Sequence, residues 1–260
     1  ASVIHAILLS GGSAFGLDAA GGVMRYLEEH NIGFDVGVTK VPLVCQSCLF
    51  DLTVGDPMVR PDADLAYKAC QNAEQGNYRD GCFGAGTGAT VGKLLGMEHC
   101  MKSGIGSYAV QVGELKVGAL VAVNALGDIY DWKTGRKVAG LLAEDGKTFA
   151  NAEEIALCKT EVVENKFVGN TTLGVIVTNG CFQKAQLCKI AGMGHDGYAR
   201  AIRPVHTTAD GYSIYAVSLG NVQADQDVVG ALAAQVMAEA ILRAVQAAKS
   251  GYGFPAVSDL

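Results

Sequence analysis

Short apolar runs and amphipathic stretches alternate along this chain, a pattern that predicts a mixed α/β protein. Seven segments rich in apolar and β-branched residues predict strands. They are Val3–Leu9, Val41–Leu52, Gly106–Val112, Leu115–Asn124, Asp128–Asp131, Thr172–Thr178 and Tyr212–Ser218. Five further segments predict helices. They are Ser13–His30, Asp62–Ala73, Ala152–Cys158, Gln183–Ile202 and Asp225–Ala248.

Signals for helix ends accompany several of these segments. Ser13 and Asp62 have the short, oxygen-bearing side chains that cap the first turn of a helix, and Pro61 fixes the backbone before the second. The glycines of Gly192–Gly197 predict a break in the fourth helix, because glycine is costly in a helix interior. No internal repeat and no linker divides the sequence, so we expect a single domain over residues 1–260.

Composition supports a folded interior and argues against several functions. Of the 260 residues, 50% are hydrophobic and only 18% are charged, and 34 glycines allow many tight turns. The net charge of −6 gives no footprint for nucleic acid or an anionic membrane surface. The apolar stretch Val117–Leu126 is about half of the ~20 residues that cross a bilayer. No cleavable signal peptide is visible, and we expect a cytoplasmic protein.

The eight cysteines are expected to be buried free thiols in a reducing compartment, since most lie in apolar or helical patterns. Cys45 and Cys48 form a lone C-x-x-C pair. A structural zinc site needs four ligands, and neither a second pair nor a nearby histidine supplies the others. A redox pair is the alternative to two ordinary thiols.

The segment Gly11–Gly16 follows a predicted strand and opens a predicted helix, as a nucleophile elbow does. An elbow around Ser13 needs glycines two residues before and two residues after the serine, and Phe15 occupies the second position. Ser13 is therefore expected to cap the helix or to line a pocket beside Gly12.

The segment Gly84–Ala89 matches a dinucleotide-binding fingerprint in its glycine spacing. No buried strand precedes it, however, and no ribose-binding acid follows at the required distance. Gly92-Lys93 likewise lacks the earlier glycine and the Ser or Thr of a Walker loop. Because glycines carry no side chain, Gly86 and Gly88 are expected to let backbone amides approach a ligand closely.

Six motifs run through nearly the whole chain. They read VIHAILLSGGSAFGLDAAGGVMRYLEE, GAGTGATVGK, MKSGIGS, VGALVAVNALGD, NTTLGVIVTN and HDGYARAIRPVHTTADG. In order and spacing they resemble the DmpA-like family of self-processing aminopeptidases and amidases, which includes β-aminopeptidases and nylon-oligomer hydrolases. The resemblance implies a four-layer αββα sandwich of the N-terminal nucleophile type and a homotetramer or larger homo-oligomer. It also implies a small peptide, aminoacyl amide or ester as substrate, with no metal or organic cofactor.

The step Gly169-Asn170-Thr171-Thr172 at the mouth of a strand has two interpretations. Gly and Asn suit a turn and Thr suits a strand, so the step could simply lead a loop into a strand. The resemblance implies instead that the chain cuts itself between Asn170 and Thr171, which gives an α-chain of residues 1–170 and a β-chain of residues 171–260. A threonine hydroxyl needs a base, and the freed α-amine, with an unperturbed pKa of about 7.7–8, supplies one.

Three further residues match catalytic positions of the family. Asn124 corresponds to an asparagine that stabilises the oxyanion, Lys93 to a lysine that holds charge or orients the nucleophile, and Asp210 to an acid near the nucleophile's amine. Without the resemblance, they are a turn asparagine, a solvated lysine and a turn aspartate. His195 and His206 also lie in matching motifs and are expected to be structural.

Two departures from the family pattern leave a second function open. Tyr212 stands where many relatives carry Asp or Glu, and the segment that normally precedes the HAILLSGG strand is missing from this sequence. The chain is therefore either an N-terminal threonine hydrolase or an unprocessed, catalytically impaired relative that acts as a ligand-binding or structural oligomer. In the first case the substrate pocket lies between Gly12–Ser13 and Gly86–Gly88.

Overall fold

The computed structural model describes residues 2–159 and 169–260, so the predicted α-chain is described except for residue 1 and residues 160–168. The strands are β1 (Ala6–Ser10), β2 (Phe34–Asp35), β3 (Lys40–Val41), β4 (Val44–Cys48), β5 (Thr90–Val91), β6 (Met101–Lys102), β7 (Ile105–Val112), β8 (Leu115–Asn124), β9 (Asp128–Tyr130), β10 (Lys137–Ala139), β11 (Asn170–Gly180), β12 (Ile202–Arg203) and β13 (Asp210–Val222). The helices are α1 (Ala20–Glu29), α2 (Ala63–Glu74), α3 (Ala152–Cys158), α4 (Lys184–Ala201) and α5 (Gln226–Gln246). Short 3-10 helices lie at Ser13–Ala19, Gly84–Gly86, Met97–His99 and Val257–Asp259.

The predicted elements are present, and the protein is mixed α/β as expected. The strand β8 and the helix α3 have the predicted bounds, and Asp62 caps α2 by accepting a hydrogen bond from the Leu65 N–H at 2.8 Å. The predicted strand Val41–Leu52 is shorter, because only Val44–Cys48 forms its regular part.

Two predictions about helices are wrong, one about a cap and one about a break. Ser13 does not cap a helix with its side chain; Gly12 and Ser13 both have left-handed backbone angles, with φ of 83° and 54°. The helix α4 is not broken at its glycines. A Cβ on Gly194 would lie 2.7 Å from Ile176 Cδ1, and one on Gly197 would lie 2.5 Å from the Ala234 carbonyl oxygen. These glycines let α4 approach the sheet and α5 closely.

The largest sheet has four strands in the order β13–β11–β8–β7. The strands β11 and β13 run parallel, whereas β8 is antiparallel to both β11 and β7. The start of β11 therefore lies between the end of β8 and the start of β13. The residues at these three strand ends are the ones that the sequence singled out.

The main core lies where α4 and α5 pack on one face of this sheet. Val121 and Ile176 of the sheet are fully buried with Tyr198 of α4 and with Met237 and Ile241 of α5. The close packing of these helices requires a small residue in the sheet, and Gly174 lies directly beneath the Met237 and Tyr198 side chains.

The sequence pattern indicated Val117–Leu126 as the apolar stretch to compare with a membrane span. In the structure the helix α5 is the more apolar element. Among the described residues, α5 is the one helix that is long and apolar enough to cross a membrane by length and composition. Of its most apolar window, 67% is buried inside the protein, as in the core helix of a globular domain.

The opposite face of the large sheet packs against the parallel pair of β1 and β4. Leu9 and Leu49 from that side contact Ala122 and Leu173 of the large sheet. The Ser47 and Tyr215 hydroxyls are 2.7 Å apart across the same interface. The helices α1 and α2 cover the outer side of the pair through residues that include Val23, Leu27 and Ala66 with Leu8.

The cysteines are all free thiols, as expected. Five are buried or half-buried, but Cys158, Cys181 and Cys188 are exposed, which corrects the prediction for those three. The helical patterns around Cys158 and Cys188 placed these residues on helices correctly and did not reveal which side faces solvent.

Candidate active site

Thr171 is the second residue of β11 and lies opposite Asn124 on β8 and Gly211 on β13. Its hydroxyl donates a hydrogen bond to the carbonyl oxygen of the preceding residue, Asn170, with an O···O distance of 2.7 Å. The hydroxyl is thus in contact with the peptide group that a self-cleavage reaction would attack. The sheet holds this arrangement, because both neighbouring strands pair with Thr171.

The Asn124 side chain is buried at the end of β8, and its two polar ends face different groups. Oδ1 accepts hydrogen bonds from the Thr90 N–H at 3.1 Å and from the Lys93 ammonium at 2.7 Å. Nδ2 donates to the carbonyl oxygens of Phe50 at 2.8 Å and of Gly169 at 3.3 Å. Because donors surround Oδ1, the amide is fixed with its N–H groups toward the start of β11.

Lys93 is held mainly by Asn124. Its Nζ lies 2.7 Å from the side-chain oxygen and 3.1 Å from the main-chain oxygen of that residue. Burial lowers the pKa of the ammonium to about 7, while Cys100, Asp210 and Asp51 act in the opposite direction. Lys93 is therefore not a freely solvated lysine, and its charge changes near neutrality.

Asp210 begins β13 and pairs with Asn170 in the sheet register. Its Oδ1 accepts a hydrogen bond from the Leu126 N–H at 3.0 Å, and its Oδ2 accepts one from the Thr207 hydroxyl at 2.8 Å. Burial raises the pKa of the carboxyl group, and these hydrogen bonds and the Lys93 charge oppose the shift. The carboxylate thereby connects the residues that follow β8 to the start of β13.

Tyr212 lies two residues beyond Asp210, and its hydroxyl is buried. The hydroxyl makes no hydrogen bond of normal length and angle with the described residues, although it is close enough to lower the pKa of the Asp210 carboxyl. Burial and the Asp210 charge raise the pKa of the phenol well above its usual range. The His206 ring packs edge-on against Tyr212 at 4.8 Å between centroids, and His195 Nδ1 lies 3.0 Å from His206 Nε2.

Two of the predicted pocket glycines face each other across Asp51, a residue that sequence reasoning missed. The Gly12 N–H donates to Asp51 Oδ1 at 2.7 Å. A Cβ on Gly88 would lie 2.5 Å from the Asp51 Cβ, and one on Gly11 would lie 2.2 Å from its Oδ2. Burial raises the pKa of this carboxyl group. The glycines are therefore needed for the close approach of two loops to one carboxylate.

The loop that contains Gly86 is braced by Lys102, which is 1% exposed. Lys102 Nζ donates to the carbonyl oxygens of Gly86 at 3.3 Å, Ala89 at 3.0 Å and Ser103 at 3.0 Å. A Cβ on Gly86 would lie 2.3 Å from the Ile105 nitrogen. The glycine-rich loop is thus packed on the backbone at the start of β7 and held by a buried ammonium group.

Four of the predicted residues come together at one end of the large sheet, namely Thr171, Asn124, Lys93 and Asp210. The Gly12 turn joins them through Asp51, whose neighbour Phe50 accepts from Asn124. Among the described residues, no hydrogen bond links the Ser13 side chain to this group. The main-chain N–H of Ser13 donates to the Leu49 carbonyl oxygen at 3.0 Å. The residues that the sequence did not reveal are the buried Thr90 and Lys102 and the half-buried Asp51.

Comparison with solved structures shows which known fold this chain shares. An L-aminopeptidase D-Ala-esterase/amidase from Ochrobactrum anthropi, described as a variant of the Ntn hydrolase fold, matches with a TM-score of 0.62 over 91% of this chain and 64% of its own. A Burkholderia sp. β-aminopeptidase matches with a TM-score of 0.57 over 91% of this chain and 67% of its own. Both are 19% identical to this chain, and at that level the likeness shows the fold alone. This chain therefore shares the fold of these two structures.

Sequence comparison gives the family. Residues 1–256 match peptidase family S58. The chain is 37% identical to an uncharacterized aminopeptidase of Mycobacterium leprae (strain TN), over 97% of this chain and 74% of the relative. It is 31% identical to a 6-aminohexanoate-oligomer endohydrolase of Agromyces sp. (strain KY5R), over 92% of this chain and 71% of the relative. The chain therefore belongs to peptidase family S58, whose reaction class is hydrolysis of peptide or amide bonds, and the resemblance to DmpA-like proteins is confirmed.

Proposed function

We propose that this protein is a self-processing N-terminal threonine hydrolase that removes an N-terminal residue from small peptides, aminoacyl amides or esters. The contact between the Thr171 hydroxyl and the Asn170 carbonyl oxygen, at 2.7 Å, is the observation that carries the proposal. The relatives named as aminopeptidase and as oligomer endohydrolase support the same reaction class.

The proposed self-cleavage proceeds in two steps. Thr171 Oγ1 attacks the Asn170 carbonyl carbon, the C–N bond to Thr171 breaks, and the hydroxyl proton ends on the Thr171 nitrogen. The product is an ester with a free α-amine. Water then adds to the ester carbonyl, its oxygen becomes part of the new Asn170 carboxyl group, and its proton returns to Oγ1. In turnover the α-amine accepts the hydroxyl proton and passes it to the leaving amine.

Asn124 is the proposed donor to the oxyanion during substrate turnover. In the uncut chain one of its N–H groups is directed at the Gly169 carbonyl oxygen. A cut after Asn170 frees the chain before Thr171 to withdraw, and that N–H group then becomes available to a substrate. Lys93 would keep the amide in this orientation, and Asp210, which pairs with Asn170 in the sheet register, would orient the new α-amine.

The layer arrangement, the oligomeric state, the cellular location and the absence of a cofactor are part of the same proposal. The packing order of α1 and α2, the β1–β4 pair, the large sheet, and α4 and α5 supports a four-layer αββα sandwich as a single domain over residues 1–260. We propose a homotetramer or larger homo-oligomer in the cytoplasm, with no metal or organic cofactor.

A denaturing gel with intact mass and N-terminal sequencing tests the proposal. Wild-type protein should give two fragments, one of which begins at Thr171, and should hydrolyse at least one aminoacyl p-nitroanilide. Thr171→Ala should stay uncut and inactive. A single full-length wild-type band after prolonged incubation, without hydrolysis of any anilide, would sink the idea.

The half-buried tyrosine at position 212 favours a second candidate function. Tyr212 supplies no carboxylate beside Asp210. The negative charge that would orient the α-amine is therefore smaller than it would be with Asp or Glu at this position. An unprocessed relative that binds a small ligand or serves as a structural oligomer would show the single band described above.

A further inference from the structure

Asp51 follows Phe50 in the loop after β4, and its side chain lies between two glycine-containing segments. Oδ1 accepts a hydrogen bond from the Gly12 N–H at 2.7 Å. A Cβ on Gly11 would lie 2.2 Å from Oδ2, and one on Gly88 would lie 2.5 Å from the same oxygen. The carboxyl group therefore fills the space between the two segments, and the Gly12 N–H fixes its direction.

The main-chain carbonyl of Phe50 connects Asp51 to the Asn124 amide. One N–H group of Asn124 Nδ2 donates to the Phe50 oxygen at 2.8 Å, and the Gly169 carbonyl oxygen lies 3.3 Å from the same nitrogen. The Asn124 oxygen accepts over a broad range of directions, so its donors alone do not fix the amide plane. The Phe50 oxygen fixes it, and with it the direction of the second N–H group. That carbonyl belongs to the planar peptide unit that ends at Asp51.

We propose that Asp51 is a positioning residue for substrate hydrolysis: its side chain anchors the Phe50 peptide unit, which directs an Asn124 N–H group at the oxyanion. The inference rests on the proposed function, because it assumes that Asn124 stabilises the oxyanion. Among the described residues, Asp51 makes no hydrogen bond to the side chain of Asn124 or of Thr171. Its effect on the reaction is therefore transmitted through the Phe50 carbonyl.

Steady-state kinetics of two variants on one aminoacyl p-nitroanilide test this role. Asp51→Ala removes the acceptor for the Gly12 N–H, so the Phe50 carbonyl and the Asn124 amide should lose their fixed directions. An oxyanion donor acts on charge that develops in the transition state, so kcat should fall while KM stays near the wild-type value. We expect a loss of kcat of about 10- to 100-fold, as for a misplaced catalytic group. Asp51→Asn keeps the shape and an oxygen for Gly12, so it should retain most of the wild-type kcat.

Asp145→Ala is the matched control. Asp145 is exposed and also braces a loop through main-chain N–H groups, since its Oδ1 accepts from Lys147 at 2.9 Å and from Thr148 at 2.8 Å. This variant should have the kcat and KM of wild type. Intact mass and melting temperature check that each variant is folded and cut. If Asp51→Ala does not fold, Asp51→Ser takes its place, because the serine hydroxyl is too short to reach Gly12.

Three results would overturn the inference and leave the hydrolase proposal standing. They are wild-type kcat in Asp51→Ala, a loss that appears in KM alone, and an equal loss of kcat in Asp51→Ala and Asp51→Asn. The last result would mean that the charge of Asp51, and not its hydrogen bond to Gly12, supports the reaction. An uncut and inactive wild-type chain would instead remove the proposed function, and the inference with it.

Discussion

Asn124 and Thr171 face each other in direct register on the antiparallel strands β8 and β11. The Asn124 amide also bonds the Gly169 carbonyl oxygen, two residues before Thr171, and its oxygen accepts from Lys93. The ladder between two central strands sets the distance between nucleophile and amide. The site is therefore supported by rigid elements, which favours reproducible catalytic geometry.

The first prediction separates the donor and acceptor roles of Asn124. Asn124→Asp keeps oxygens for Thr90 and Lys93 to donate to, but it has no N–H group for the oxyanion. Turnover should fall roughly 10²–10³-fold, the usual loss for one oxyanion donor. The melting temperature should fall as well, because a carboxylate oxygen replaces the N–H donor that faces the Phe50 carbonyl oxygen. Steady-state kinetics and thermal unfolding of the same preparation check this.

Asn124→Ala is the matched variant that loses both roles. It should be equally slow and also less stable by about 1–3 kcal/mol, because the buried Thr90 and Lys93 donors lose their acceptor. Wild-type turnover in Asn124→Asp would remove the oxyanion assignment.

The second prediction concerns Thr171 itself. Thr171→Ser retains a hydroxyl and should cut itself, more slowly, because the β-branch that restricts χ1 is gone. Thr171→Cys supplies a stronger nucleophile with a larger sulfur, so it should process and then turn over poorly. Intact mass at fixed times gives the rate of each cut.

Thr172 is the control for the Thr171 series. Its side chain is fully buried, and Oγ1 has no hydrogen-bond partner among the described residues. Thr172→Val keeps the shape and removes an unpaired hydroxyl, so it should fold, cut itself and retain activity. A fragment that begins at Thr172, or a Thr171→Ala chain that still splits, would show that the nucleophile is another residue.

The third prediction is a pH dependence of stability due to Lys93. Its pKa is about 7 in the folded protein against 10.5 for an ordinary lysine, so the unfolded chain binds more protons between these values. The free energy of unfolding should therefore gain a contribution that rises with pH across that window and is flat below it. Lys93→Met should remove this rise, as measured by urea unfolding at several pH values.

Lys147→Met, at an exposed position, is the matched control for the lysine substitution. Its curve of unfolding free energy against pH should run parallel to that of wild type. Parallel curves for wild type and Lys93→Met would mean that the Lys93 ammonium is not desolvated as the structure indicates.

The fourth prediction tests the packing of the glycine-rich loop. Gly86→Ala places a Cβ 2.3 Å from the Ile105 nitrogen and 2.6 Å from the Gly81 carbonyl oxygen, so backbone must shift. The expected loss is at least the ~1–3 kcal/mol of an overpacked site. Gly21→Ala, in α1 with nothing within 4 Å of the new Cβ, should instead gain about 0.5–1 kcal/mol. Denaturant unfolding of both variants decides this, and equal stabilities would contradict it.

The periodic elements could be predicted from the sequence, because each depends on neighbouring residues. The pattern gave β8 its observed bounds, and Asp62 was recognisable as a cap. The glycines of α4 were misinterpreted for the same reason. Their purpose is close contact with the sheet and α5, and local propensity does not report such contact.

Residues of the candidate site could be singled out from the sequence where they stand in motifs of the family, as for Thr171 and Asn124. Asp51 reaches Gly12 across 39 positions, and Lys102 reaches Gly86 across 16 positions. Neither lies in a spacing that signals chemistry. Their roles depend on how two loops pack, which only the tertiary structure determines.

The strand order has a consequence for how the protein would fold after a cut. The strands β7 and β8 precede Asn170, whereas β11, β13 and α5 follow it, and α5 packs on β7 and β8. A cut would turn one chain into two that share a single sheet and core. Refolding would then require two molecules to meet, so recovery after denaturation would depend on protein concentration, whereas the Thr171→Ala chain would refold as a single chain. Before self-cleavage the protein would fold as one chain, whereas after it the same fold would form again only if the two separate chains associate.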